Sequence, residues 1–188
     1  AIYGFGLERK GSVILCGVGQ GAKSQVEINS PSEAVKNGIG LIAEDRKSQG
    51  IFPNQTLSMN VTVAGLGKLG TGLNALLPDR EKQRTMHLIS SLKIKCLGPS
   101  QDIDRLSGGN QQKALLARWL EVGASVWLLD EPTRGVDAES KLAIYKLLRE
   151  LRDRGVALII VSSEMDELTD VCDRILVMSN KKHVDTFT

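Results

Sequence analysis

Apolar residues fall along this chain in two alternating patterns, short unbroken runs and stripes at helical spacing. Residues 12–17 read as a short buried strand running into a glycine-rich turn. Residues 32–37 read as a short helix closed by Gly38, and residues 39–43 as the strand that follows. A polar loop over 44–49 comes next. From Phe52 to Asp104 the texture changes: Gly65, Gly67, Gly70 and Gly72 break the chain into loops, and residues 79–93 form an amphipathic pattern. This stretch reads as a helical insertion. Alternation then resumes with a helix over 111–122, a strand over 125–129 and a helix over 139–154. The last of these carries Leu142, Tyr145, Leu148 and Leu151 on one face. Strands over 156–162 and 174–179 complete the pattern, without repeats or low-complexity tracts. Strands separated by helices predict an α/β protein with a largely parallel sheet.

Composition narrows the function classes. A chain of 188 residues with 41% hydrophobic and 24% charged residues suits one soluble domain with a subdomain. Aromatics are 4%, which argues against base stacking, and a net charge of +2 is too small to attract nucleic acid by itself. Cys16, Cys96 and Cys172 are odd in number and lack metal-ligand spacing, so three free thiols in a reducing cytosol are expected. No run approaches the ~18 apolar residues that span a bilayer, and no secretory leader is expected. A membrane role would come through a partner.

Two segments carry candidate chemistry. In Val126-Trp127-Leu128-Leu129-Asp130-Glu131-Pro132 an apolar strand ends in two carboxylates, at the sheet edge where α/β proteins bind ligands. Asp130 suits Mg²⁺, directly or through water, and Glu131 suits a polariser of attacking water. A strand ending in a solvated acidic turn fits the segment equally well. In Leu106-Ser107-Gly108-Gly109-Asn110-Gln111-Gln112-Lys113 two glycines permit close backbone approach, and a helix N-terminus supplies free N–H groups for a γ-phosphate. Ser107 or Asn110 capping a helix is the plainer alternative. One helix separates the two segments. A third segment, Gly17-Val18-Gly19-Gln20-Gly21-Ala22-Lys23-Ser24, matches the phosphate-loop pattern except at Ala22. Lys23 could reach phosphates and Ser24 could ligate Mg²⁺; a glycine-rich loop between strands is the other reading.

Together these segments resemble the ATP-binding domain of ABC transporters. Residues 106–112 look like the signature motif, 126–131 like Walker B, and Asp137 like the D-loop aspartate. Ile42-Ala43-Glu44-Asp45-Arg46-Lys47 and Val161-Ser162-Ser163-Glu164-Met165 further resemble the second ATPase half of bacterial simple-sugar importers, of the ribose, galactose, xylose and autoinducer-2 types. The likeness covers residues 11–188. It implies a P-loop NTPase (RecA-like) core over residues 1–51 and 108–188, with a helical subdomain over 52–107. It implies ATP and Mg²⁺ as cofactors, with Gly17, Gly19, Gly21, Lys23 and Ser24 on the nucleotide and Ser24 and Asp130 on the metal. Glu131, Glu44 and Ser163 take the catalytic positions. Ser107, Gly108, Gly109 and Gln111 would face the nucleotide of a second ATP-binding half, in a head-to-tail dimer. An integral membrane permease and, indirectly, an external solute-binding protein are the implied partners, with no nucleic acid. The implied location is peripheral, on the cytoplasmic face of the bacterial inner membrane.

Departures from that pattern point to a weakened site. The family carries a full helix and further strands after the phosphate loop, whereas here only residues 25–29 precede Ser30-Pro31-Ser32-Glu33-Ala34. Either the chain is shortened or residues are missing from this sequence. Most relatives place a glutamine at Glu44 and a histidine at Ser163. Losing such a contact costs about 3 kcal/mol of transition-state stabilisation, so this half's own site is expected to be slow and its signature to serve a stronger partner site.

Other residues have two readings each. Tyr3 and Phe5 pack an N-terminal strand or stack on adenine; Arg46, Lys47 and Arg134 are solvated charges or contacts to phosphate, permease or dimer. Ile51, Phe52, Leu57, Met59, Val61 and Val63 form the subdomain's core or meet the permease. His87 and His183 read as non-catalytic, His183 in a solvated tail. The rival functions are an ABC ATPase acting on ribosomes or DNA and a catalytically silent dimerisation half.

Overall fold

The computed structural model describes residues 2–4, 12–16, 23–68, 78–180 and 182–188. At its centre are three parallel strands, β3 (Ile39–Ile42), β4 (Val126–Asp130) and β5 (Ala157–Val161), in the order β3-β4-β5. Ile39 pairs with Val126, and Val126 with Ala157, so the three C-terminal ends lie side by side. Helices connect them, as parallel pairing requires.

The pattern over 32–37 gives α1 (Pro31–Lys36), which starts one residue early because Pro31 takes a first-turn position and Ser30 caps the end. The Ser30 hydroxyl accepts from the Glu33 N–H (3.3 Å), and the Glu33 carboxylate accepts from the Asn29 N–H (2.8 Å). The central helix is α4 (Gly108–Val122), closed by Gly123 in the left-handed region at φ 68°. It is buried over most of its circumference, between the sheet and the insertion. Trp119 crosses onto β3, its indole N–H donating to the Leu41 carbonyl (2.9 Å). A methyl group at Gly40 would lie 2.7 Å from that ring, so only glycine allows the approach. Burying Leu116 at this junction contributes roughly 2 kcal/mol.

Between β3 and α4 the described residues form α2 (Leu57–Thr62), a 3₁₀ turn (Val63–Lys68), α3 (Pro78–Ser91) and a short 3₁₀ turn (Ile103–Arg105), the stretch expected as an insertion. Leu57 N–H to Gln101 O (2.8 Å) and Ile103 N–H to Gln55 O (3.0 Å) tie its two ends together. Arg118 of α4, buried, donates to Asn60 O (2.7 Å) and Gly50 O (2.8 Å) and lies 5.4 Å from the centre of the Phe52 ring. Burial holds its guanidinium down to about 10. Tyr3 meets Trp119 edge to face at 6.4 Å, and burial pushes its phenol up to about 12. Thus Tyr3 packs, while Phe5 lies outside the described residues.

The expected parallel sheet is the one formed by β3, β4 and β5; beside it, among the described residues, β1 (Val13–Cys16) and β2 (Lys23–Val26) form an antiparallel pair, as do β6 (Ile175–Ser179) and β7 (Lys182–Phe187). Two finer expectations need correction. The tail expected around His183 is therefore a strand, although an exposed one. In α5 (Ala138–Asp153) Leu142 is 64% exposed and Ile144 is buried in its place. At 100° per residue Leu142 lies roughly 120° from Leu148, outside the arc shared by Ile144, Leu148 and Leu151. The chain ends its α/β alternation with α6 (Met165–Val171) between β5 and β6. No described helix is long and apolar enough to cross a membrane.

Candidate functional site

The chemistry-bearing residues gather where the three parallel strands end. Glu44 follows β3, Asp130 ends β4 with Glu131 next, and Ser163 follows β5. A strand terminus frees side chains from the ladder, so four polar residues meet at one edge without interrupting the core. Glu131 is held in the left-handed region at φ 47°, a conformation a non-glycine residue keeps only when its surroundings enforce it. The enforcing contacts are its N–H to the Val161 carbonyl (2.8 Å) and its Oε1, which accepts from the Ser163 N–H (2.8 Å). Asp130 sits between Glu44 and Glu131. Burial first, then those two carboxylates, hold its carboxyl above the ordinary carboxylate range. That is a site short of positive charge, suited to a cation or to a protonated acid.

Glu44 does not stand alone, because the Arg134 guanidinium pairs with its Oε1. Arg134 belongs to the turn between β4 and α5, and that turn is fastened again by Arg46. Arg46 Nη1 donates to Arg134 O (2.9 Å), Nη2 to Gly135 O (3.3 Å) and Nε to Gln111 Oε1 (3.4 Å). Arg46 opens a single π-helical turn (Arg46–Gly50), capped by Asp45, whose carboxylate accepts from Lys47 and Ser48 N–H groups. Those bonds, chiefly to Ser48, hold the Asp45 carboxyl below its usual range.

The Ser107-Gly108-Gly109 turn lies against the same β4–α5 connection. Ser107 is the cap residue of α4, yet its hydroxyl takes no backbone cap bond; it accepts from the Asn110 side chain (2.8 Å). A methyl group at Gly108 would fall 2.5 Å from Arg46 Nη2, and one at Gly109 2.3 Å from Ser140 Oγ and 3.0 Å from Asp137 Oδ2. A side chain at either position would thus force a neighbour to shift, the Arg46 guanidinium at Gly108 and the Ser140 side chain at Gly109. Gln111 is buried, its amide divided between Ile103 O (3.2 Å) and Arg46. Asp137 caps α5, accepting from the Ser140 N–H (2.9 Å), and Ser140 holds its carboxyl below the usual range.

Of the phosphate-loop residues, Gly17, Gly19 and Gly21 lie outside the described residues. The backbone of Lys23 and Ser24 runs in β2, with Lys23 opposite Cys16 and Ser24 opposite Leu15, in a two-stranded antiparallel sheet separate from the parallel one. No helix follows Ser24 before α1. The geometry therefore joins Glu44, Asp130, Glu131 and Ser163 with the signature-like turn and Asp137, and leaves Lys23 and Ser24 on another sheet.

Sequence reasoning missed three contributors. Arg46 reads either as a solvated loop charge or as a contact to phosphate or the permease, and only the fold brings it to three carbonyl and amide oxygens. Ser140 and Glu167 carry no motif signal at all; Glu167 accepts from the Thr133 hydroxyl (2.9 Å), both residues buried, and so ties the start of the β4–α5 turn to α6.

Comparison with known proteins bears on the family and the fold. A family model described as ABC transporter matches residues 9–134. The ribose import ATP-binding protein RbsA of Caldanaerobacter subterraneus subsp. tengcongensis is 38% identical over 181 residues, which are 96% of this chain and 35% of the relative. The xylose import ATP-binding protein XylG of Escherichia coli is 43% identical over 158 residues, 84% of this chain and 31% of the relative. The chain thus spans about a third of the length of these curated relatives. Among solved structures, the dimeric post-hydrolysis ATP-binding cassette MJ0796 bound to ADP and Pi superposes with a TM-score of 0.68 at 18% identity, covering 82% of this chain and 65% of that one. The ATP-binding cassette MJ1267 gives 0.66 at 20% identity, covering 86% and 65%. At such identities the agreement concerns the fold.

Proposed function

Since the chain belongs to the ABC transporter family, we propose that it is the ATP-binding, ATP-hydrolysing part of an importer for a simple sugar or related solute. The observation that carries this reading is the meeting of Glu44, Asp130, Glu131 and Ser163 at one sheet edge, tied to the signature-like turn. The relatives named for ribose and xylose import supply the substrate class. A permease in the membrane, an external solute-binding protein and a second ATP-binding half complete the assembly, with this chain peripheral on the cytoplasmic face.

Glu131, braced by Ser163, accepts a proton from the water that attacks the γ-phosphate. Ser107, Gly108 and Gly109 cap the nucleotide of the second half with hydroxyl and backbone donors. Mg²⁺ fits this site through Asp130, whose desolvated carboxylate lies among like charges that a cation would relieve. Asp130 would hold the ion together with phosphate oxygens and water. When bound, Mg²⁺ supplies charge neutralisation on the phosphates.

This chain's own nucleotide site is the weaker of the two. Lys23 and Ser24 lie in a strand with no helix after them, which removes the N–H cradle and dipole that a phosphate loop uses. Glu44 and Ser163 stand where an amide and an imidazole would contact the transition state. In the full-length transporter, Ser107→Arg should abolish transport while Glu131→Gln leaves most of it. Loss of transport in Glu131→Gln, with Ser107→Arg intact, overturns the asymmetric assignment.

A further inference from the structure

Arg46 ties together three segments that are distant in sequence. Its Nη1 and Nη2 hold the Arg134 and Gly135 carbonyls, at 2.9 and 3.3 Å, and its Nε meets Gln111 Oε1 at 3.4 Å. Arg134 returns from that turn to pair with Glu44, two residues before Arg46 itself. The result is a closed ring of contacts: Glu44 to Arg134, Arg134 and Gly135 to Arg46, and Arg46 to Gln111 on the first turn of α4. Gly108 borders the ring so closely that any side chain would displace the guanidinium or the Gly135 carbonyl, at 2.5 and 3.0 Å. A planar fork with several fixed donors can hold three acceptors at once, which a lysine ammonium on a flexible stem does not reproduce.

We infer that Arg46 is a positioning residue that locks the Glu44 loop, the Arg134–Asp137 turn and the Ser107-Gly108-Gly109 turn into one unit, so that the edge bearing Glu44 and the signature offered to the second half move together. This rests on the reading of Ser107 to Gly109 as the cap on a partner's nucleotide. If Arg46 is removed, Glu131 keeps its own braces through Val161 and Ser163, and ATP binding at either half is untouched. What is lost is the registration of the signature turn against residues 134–137.

The test uses the full-length ATP-binding protein with its permease, carrying Arg46→Ala, Arg46→Lys or Ser107→Arg. Steady-state ATP hydrolysis is measured together with hydrogen exchange at residues 108–111 and 133–137. In Arg46→Ala and Arg46→Lys alike, kcat should fall about tenfold or more with KM for ATP within about twofold, because misplacement rather than binding is affected. Exchange should accelerate in both segments together. A kcat equal to the unsubstituted protein's, or faster exchange in only one segment, overturns the inference. Should Arg46→Ala fail to fold, Arg46→Lys decides, since it keeps charge and stem and lacks the fork; full activity in it overturns the inference. If Ser107→Arg abolishes hydrolysis and Arg46→Lys does not, only the lock fails. If Ser107→Arg is itself silent, the signature reading fails, and the lock with it.

Discussion

At Asp130 the site's charge conflict is concentrated in one carboxyl. Burial and the neighbouring Glu44 and Glu131 raise its affinity for a proton in the folded chain. A carboxyl raised in this way stabilises the fold while protonated and loses that contribution as pH rises through its folded-state value. Asp130→Asn should therefore melt higher than the parent at pH 7, with the difference shrinking as pH falls through the raised folded-state value toward the ordinary carboxylate range. Thermal melting across pH 4 to 8 checks this, and a lower melting point for Asp130→Asn at pH 7 would contradict it. The glycine pair offers a second test. A methyl group at Gly109 meets Ser140 Oγ at 2.3 Å and Ser140 Cβ at 2.5 Å. Gly109→Ala should cost about 2 kcal/mol in urea unfolding, and Ser140→Gly in the same chain should recover part of it. An unchanged midpoint in Gly109→Ala would mean that the turn adjusts freely. The residue types and spacing at Asp130, Glu131, Ser107 and Gly108 were visible as motifs because backbone access and carboxylate chemistry restrict what can stand there. Ser140 and Glu167 were not, and Arg46, although inside a family-like segment, gave no sign of its contacts, since a side chain that acts by contacting distant backbone leaves no local pattern.

Among the elements, α4 carries the architecture. Its first turn faces the catalytic edge, its middle holds Trp119 against β3, and Arg118 fastens it to the insertion. Arg118→Met removes donors from two carbonyls, Asn60 O and Gly50 O, in a buried setting. It should destabilise the fold by about 3 kcal/mol; a loss under about 1 kcal/mol, within the range of surface changes, would show that water takes over those carbonyls. The strands and helices of the core were legible because their periods differ and each buries one side. The boundaries and faces were less so. Leu142 shares helical spacing with Tyr145 yet lies outside the buried arc, since the neighbours of α5, not its own sequence, decide where the arc is centred. β7 went unread because all its residues are exposed, so the strand shows no alternation of buried and open positions.

For the molecule as a whole, the account assigns two unequal tasks to one chain. Its parallel sheet edge and signature-like turn are joined through Arg46, in the arrangement proposed to form one side of a shared nucleotide site, while Lys23 and Ser24 lie in an antiparallel pair apart from that sheet. The sequence showed the break after Ser24 as a shortage of residues between Ser24 and Pro31; where those residues run, in an antiparallel pair with β1, needed the fold. A whole-molecule consequence is that hydrolysis depends on a partner: alone, the chain should turn over ATP slowly, and turnover should rise steeply with the concentration of the second half. The most direct measurement is photolabelling with an ATP analogue that carries an azide on its γ-phosphate, followed by peptide mapping. Label on residues 107–111 of this chain only when the second half is present is the predicted result. Label confined to residues 17–24, unchanged by the second half, would contradict the assignment.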